Sequence, residues 1–141
     1  MFISAAALLS GCDLGSRSHA ADIRGHIWSD GVTVAVPNAD TVNLYDMRIA
    51  LRHESSLNGS RIGMRIRTEA PDSSWCEEPF EMVLCDDGRS MAAAHESECT
   101  YRRRVRLSLT GDYRITLIPD NPLRGVTAAA VNMVPATEEE R

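Results

Sequence analysis

The sequence YDMRIAL at residues 45–51 decides the fold class. Its larger apolar side chains fall at every second position, namely Tyr45, Met47, Ile49 and Leu51. A period of two residues is typical of a half-buried β-strand, because successive side chains point to opposite faces of a sheet. The segment therefore predicts a strand with one face turned toward a hydrophobic core.

The same alternation recurs along most of the chain. Clear copies occupy residues 61–67, 101–109 and 113–117, and weaker ones occupy residues 23–28, 32–36, 80–85 and 125–134. Turn signals rich in Gly, Asp, Asn and Pro separate these runs. Short alternating strands with frequent turns predict an all-β fold, an antiparallel β-sandwich of about seven or eight strands.

Two local features refine this prediction. Asn58-Gly59 lies between two strongly alternating runs, and this dipeptide favours tight turns, so the sequence predicts a β-hairpin there. The stretch Ser90–Cys99 has helical propensity, and we expect it to form a single helix or a crossover loop between sheets.

The composition excludes several functional classes. The chain has 141 residues and a net charge of −5, which argues against bulk electrostatic capture of nucleic acid. All 15 basic residues are arginine, so chemistry that needs a lysine amine, such as Schiff-base formation, is excluded. The sequence holds no apolar run of the ~18 residues that a membrane-spanning helix needs.

The amino terminus resembles a bacterial lipoprotein signal. An apolar run, residues 2–9, leads into Leu9-Ser10-Gly11-Cys12, which is similar to a lipobox. In a lipobox the cysteine thiol accepts the acyl-glycerol group and the preceding peptide bond is cut. We therefore predict a signal peptide at residues 1–11, lipidation of Cys12, and attachment to the cell envelope through acyl chains.

The remaining organisation follows from composition. Residues 12–22 are polar with Gly, Ser and Ala, which predicts a flexible tether behind the lipidated cysteine. The β-sandwich domain is expected at residues 23–136, and residues 137–141 form a charged tail.

The cysteines and histidines give no recognised catalytic or metal motif. With Cys12 lipidated, Cys76, Cys85 and Cys99 remain, which permits at most one internal disulfide and leaves three free thiols as the alternative. No histidine has zinc-like spacing, and no nucleophile elbow or phosphate-binding loop is present. The sequence therefore predicts a non-enzymatic protein without a metal ion or cofactor.

Two surface features are candidates for binding. Arg102, Arg104 and Arg106 fall on the outward side of a predicted strand, and Arg124 precedes the last strand. Residues 61, 65 and 67 form a second arginine row. Together the rows are expected either to bind the phosphates of lipopolysaccharide or an acidic partner, or to form a solvated face balanced by acids. Trp75 falls in a predicted loop, where it either stacks on a glycan or folds back onto the core.

Several short motifs together resemble one known family. They are His26-Ile27-Trp28, the arginine-ended strand of residues 45–53, Gly111-Asp112-Tyr113-Arg114-Ile115, and Leu123-Arg124-Gly125-Val126. In this order, behind a lipobox, they are similar to the GldH-type gliding-motility lipoproteins of Bacteroidota.

The resemblance implies a lipid-anchored envelope protein, expected at the outer membrane. Such a protein would be an accessory or scaffold component of the gliding and associated secretion machinery, with other envelope proteins as partners. The alternative that the residues leave open is a carbohydrate-binding surface lipoprotein that uses Trp75.

Overall fold

The structure is a computed structural model that describes residues 15–85 and 94–137, without the side chains of His26 and Ala94. The predicted signal peptide, the lipidation site Cys12 and the charged tail from residue 138 onward lie outside the described residues.

Strands make up most of the described chain, and the described residues contain no α-helix. Two short 3₁₀ turns occupy Arg24–His26 and Ser55–Leu57. The strands are β1 (Arg17–Asp22), β2 (Ile27–Trp28), β3 (Val32–Asn38), β4 (Tyr45–Glu54), β5 (Arg61–Glu69), β6 (Trp75–Val83), β7 (Ala94–Val105), β8 (Gly111–Pro119), β9 (Leu123–Arg124) and β10 (Val126–Pro135).

These strands form two four-stranded sheets and a short ribbon. The first sheet has the order β1-β10-β4-β7, the second has the order β3-β8-β5-β6, and β2 pairs with β9. Every pairing among the described strands is antiparallel. The predicted antiparallel β-sandwich is confirmed.

The core lies between the two sheets. In β4 the alternating positions predicted to be buried are indeed 0–4% exposed, and His53 continues the inner row. Trp28, which ends β2, is 1% exposed. Apolar inner rows of β3, β5, β8 and β10 complete one continuous cluster that joins the sheets. Burial of this surface is the main favourable term in the folding free energy.

Residues 17–22 correct the predicted tether. They form β1, the edge strand of the first sheet, with Arg17 opposite Met133 and Asp22 opposite Ala128. The side chains alternate between half-buried and exposed, but the half-buried positions hold Arg17, His19 and Ala21, so the alternation carries little hydrophobic signal. Within the described residues, the β-sandwich therefore includes Arg17–Asp22, six residues that the sequence pattern assigns to the tether.

The prediction of a β-hairpin at Asn58-Gly59 is wrong. β4 pairs with β10 and β7, whereas β5 pairs with β6 and β8, so this turn carries the chain from one sheet to the other. Gly59 has φ +84°, and its amide donates to the Leu84 carbonyl oxygen at 2.6 Å. Both strands bury an apolar face, but they bury those faces against each other across the core.

The helical alternative for Ser90–Cys99 is also wrong for its described part. Residues 94–99 belong to β7 and pair with β4. His95 and Ser97 are buried and alternate with the exposed Glu96 and Glu98. Pairing with a central strand outweighs the weak helical preference of Ala, Glu and Ser, because propensity is a small local term.

The central position of β4 leads to a stability prediction. Leu51→Ala removes a side chain that is 0% exposed, and we expect it to lower the free energy of unfolding by about 2–5 kcal/mol through lost burial and a cavity. Val42→Ala, at a site 71% exposed, is the matched control and should change it by less than about 0.5 kcal/mol. Urea denaturation measures both, and equal effects would contradict this core assignment.

Candidate functional site

The carboxyl-terminal end of β7 forms one wall of a groove between the open edges of the two sheets. Its volume is ≈ 630 Å³. We call it the arginine groove, and its lining residues are Met47, Thr68, Cys76, Tyr101, Arg102, Arg103, Arg104, Val105 and Leu107. Arg106 and Arg104 line an adjoining hollow beside residues 42–45.

An irregular strand end creates this arrangement. The register between β4 and β7 shifts on both sides of Met47, and Arg104 has φ +56°. In a regular strand every second arginine would point into the core, but here Arg102, Arg103 and Arg104 are all exposed. The predicted strand over residues 101–109 therefore ends at Val105, although Leu107 is still buried.

The arginines differ in how they are held. Arg102 forms an ion pair with Glu78 of β6, which links the edge strands of the two sheets. Arg104 donates through Nη1 to the Thr137 carbonyl oxygen at 3.3 Å, and its amide donates to Asp46 Oδ1 at 3.0 Å. Arg106 Nε donates to the Val42 carbonyl oxygen at 3.2 Å.

The guanidinium groups of three arginines have no carboxylate partner among the described residues. Arg104 and Arg106 bond only to neutral carbonyl oxygens, and Arg103 makes no hydrogen bond or ion pair there. A cluster of uncompensated cations beside an apolar floor favours an anionic group on a binding partner, because charge-assisted hydrogen bonds are the strong ones. The sequence pattern does not single out Arg103, because regular alternation gives it an inward position.

An aromatic pair borders the groove. The Tyr101 and Phe80 rings meet edge to face, with centroids 5.3 Å apart. The Tyr101 hydroxyl donates to Glu78 Oε1, the carboxylate that also binds Arg102. Burial, followed by the hydrogen bond to Glu78, raises the pKa of Tyr101 to about 12.

Other predicted arginines lie elsewhere. Arg124 is exposed on β9, next to the end of β4 that carries His53, whereas the groove lies at the Tyr45–Met47 end. Residues 61, 65 and 67 lie on β5 in the second sheet, so they share no face with the arginines of β7. The structure thus separates the arginines into three groups, and a single basic face does not form.

Trp75 occupies the first position of β6 instead of a loop, and it does not fold back onto the core. It is 57% exposed, on the outer face of the second sheet. The Arg67 guanidinium lies 4.0 Å from the centroid of its ring, within the range of a cation–π contact. This contact holds the indole in place while most of its surface remains open to solvent.

The three described cysteines are free thiols. Cys76 and Cys85 are exposed, and Cys99 is partly buried on the inner side of β7. Among the described residues no cluster of three His, Cys, Asp or Glu side chains could hold a metal ion. No helix in the same part of the chain is long and apolar enough to cross a membrane.

A serine and a histidine meet inside the sandwich at the far end of β4. His53 Nε2 lies 2.7 Å from Ser97 Oγ, and His53 Nδ1 lies 2.9 Å from the Glu54 carbonyl oxygen. Ser97 Oγ also donates to the carbonyl oxygen of Cys85 and accepts from its amide, each at 2.9 Å. His53 and Ser97 are only 1% and 3% exposed, so in the described part of the chain this network is buried and ties Cys85 to the first sheet.

Removing this hydroxyl should destabilise the fold. Ser97→Ala leaves the Cys85 amide and carbonyl without their side-chain partner, and we expect a loss of about 1–3 kcal/mol in the free energy of unfolding. Ser108→Ala, at an exposed serine, should change it by less than about 0.5 kcal/mol. Urea unfolding measures both, and an unchanged midpoint for Ser97→Ala would contradict the structural role.

The raised pKa of Tyr101 predicts a late step in an alkaline titration. The folded state keeps the Tyr101 hydroxyl protonated up to a pH of about 12, whereas the ordinary pKa of a tyrosine is 10.0. The contribution to the free energy of unfolding is therefore fully present below pH 10 and is lost as the pH rises through 12. Absorbance at tyrosinate wavelengths should show a step near pH 12 that Tyr101→Phe removes and Tyr113→Phe keeps. If Tyr101→Phe instead removes a step near pH 10, the burial and the Glu78 contact are refuted.

Comparisons with known proteins add little beyond the architecture. No protein-family model matches the chain, and no curated protein matches it significantly. Among solved structures, the Yersinia pseudotuberculosis-derived mitogen is 8% identical with a TM-score of 0.39, covering 89% of this chain and 90% of its own. A family 11 carbohydrate-binding module of Lic26A-Cel5E from Clostridium thermocellum is 10% identical with a TM-score of 0.41, covering 90% and 86%. Likeness of this degree says nothing about what this chain binds.

Proposed function

We propose that this chain is a non-enzymatic lipoprotein of the bacterial cell envelope, held at the outer membrane by acyl chains on Cys12. Its β-sandwich binds an envelope protein through the arginine groove, as an accessory or scaffold component of the gliding and associated secretion machinery. The lipobox-like sequence around Cys12 and the resemblance to GldH-type lipoproteins support the location and the machinery.

The arginine groove, together with the adjoining hollow that Arg106 lines, is the observation that carries the binding role. Arg103, Arg104 and Arg106 are exposed without a carboxylate partner in the described chain, although the whole protein has a net charge of −5. The partly exposed Val105 supplies apolar surface between them, above the buried side chains of Met47 and Leu107. A partner with acidic groups around an apolar side chain satisfies both parts of this surface.

The proposed anchor places the groove close to the membrane. Four residues lie between Cys12 and Arg17, and the five Cα–Cα steps that join them span at most about 18 Å when extended. The Arg17 guanidinium lies 5.1 Å from the ring centroid of Tyr45, and Tyr45 pairs with Val105 at the groove. A lipid on Cys12 would therefore hold the arginine-bearing end of the sandwich near the bilayer, where a membrane-bound partner is within reach.

Charge reversal at the groove tests the binding role. The full-length lipoprotein is purified with its partners from detergent-solubilised membranes, as wild type and as Arg103→Glu with Arg106→Glu. We expect the amount of specifically co-purified partner to fall by about tenfold or more, because the new carboxylates would face acidic groups on the partner.

A matched double variant controls for net charge. Arg24→Glu with Arg61→Glu changes two exposed arginines away from the groove and should retain the partners. Equal partner recovery from wild type and both variants, with urea midpoints unchanged, would refute the groove as the contact surface.

A further inference from the structure

A second surface of the molecule combines an exposed aromatic ring with unpaired polar groups. Trp75 on β6, Glu69 on β5 and Arg114 on β8 lie side by side, since Glu69 is in register with both of the others. Residues directly opposite each other in antiparallel strands project from the same face. We call this row the tryptophan row. Adjacent strands are ~4.8 Å apart, so the row spans about 10 Å of the sheet's outer face.

The polar members of this row are free to bind a ligand. Glu69 and Arg114 make no side-chain hydrogen bond or ion pair with any described residue, and the same holds for Asp112 beside them. Farther along the same face the charges pair with each other, as in Arg61–Glu81 at 2.6 Å and Arg65–Glu77 at 2.9 Å. The unpaired groups are thus concentrated next to the exposed indole.

A hollow lies beside these groups. Its volume is ≈ 610 Å³, and it lies between the β5–β6 turn and the start of β8, with Glu69, Ser73, Asp112 and Arg114 in its walls. The turn is well ordered by internal bonds, because Asp72 Oδ1 accepts from the amide and the hydroxyl of Ser74. Ser73 has φ +70°, a conformation that costs energy for a residue other than glycine.

We propose that the tryptophan row and this hollow form a binding subsite for a neutral saccharide. The apolar C–H face of a hexose stacks on the indole of Trp75, which Arg67 holds from its other side. The sugar hydroxyls accept from Arg114 and donate to the carboxylates of Glu69 and Asp112. Arg67 and Arg114 balance Glu69 and Asp112, so the subsite has no net charge that would favour an acidic sugar, and the proposed ligand is uncharged.

This subsite does not depend on partner binding through the arginine groove. Trp75 and Glu69 project from the outer face of the second sheet, whereas the groove lies between the sheet edges. Loss of one activity therefore leaves the other measurable.

The two tryptophans allow a direct test with the full chain in detergent. Trp28 is 1% exposed and Trp75 is 57% exposed, so acrylamide quenching of fluorescence reports mainly on Trp75. The probes are cellohexaose, laminarihexaose, mannohexaose, xylohexaose and maltohexaose, with a hexamer of galacturonic acid as the acidic counterpart. We expect at least one neutral hexamer to protect Trp75 from acrylamide in a saturable manner.

Variants separate stacking from hydrogen bonding. Trp75→Ala is followed by calorimetry and should weaken binding by about tenfold or more, while Trp75→Phe should retain part of the affinity. Glu69→Gln and Arg114→Gln should each weaken binding, and Arg61→Gln, at the far end of the same face, should leave it unchanged. The proposal is refuted if no neutral hexamer binds at millimolar concentration, if only the acidic hexamer binds, or if Trp75→Ala binds as tightly as wild type.

Discussion

The inner face of β4 is the constraint on which the rest of the molecule depends. β4 lies between β10 and β7 in the first sheet, and its inner row from Tyr45 to His53 is 0–4% exposed. A shift of register by one residue would turn this whole row toward solvent, so the hydrophobic pattern fixes the pairing of three strands. The two ends of the same row then provide the floor of the arginine groove at Met47 and the buried hydrogen-bond network at His53.

Strand positions could be predicted from the sequence because alternation is a local property. The alternation of apolar side chains predicts β4, β5 and β8, and the all-β sandwich follows from these strands. The pairing partners of the strands could not be predicted. A strand that pairs with the next strand in the sequence and a strand that packs against it across the core show the same alternation. The turn at Asn58-Gly59 shows this limit, and β1 shows that an edge strand with little apolar surface gives almost no signal.

The candidate sites were only partly predictable for the same reason. Trp75 and the arginines of β7 stood out as residue types, but their surroundings depend on long-range register. The bulge at Met47 exposes Arg103, and pairing across three strands brings Glu69 and Arg114 to Trp75. Neither arrangement can be inferred from the spacing of residues along the sequence.

The edges of both sheets carry features that disfavour the addition of a strand from another chain. β3 and β6 each contain a proline, Pro37 and Pro79, β7 is bulged and rich in arginine, and β1 has only six residues. Such features oppose pairing of an exposed edge with another chain. Both proposed binding surfaces, the arginine groove and the tryptophan row, accordingly rely on side chains.

Attachment at Cys12 is the step that the proposed envelope role needs first. The direct measurement is metabolic labelling with an alkyne analogue of palmitate, with membrane fractionation, on the full-length wild type, Cys12→Ser and the control Cys85→Ser. We expect the wild type and Cys85→Ser to carry the label and to fractionate with membranes. Cys12→Ser should lose both the label and the membrane association. A wild-type protein that carries no label and fractionates away from membranes would contradict the lipoprotein assignment.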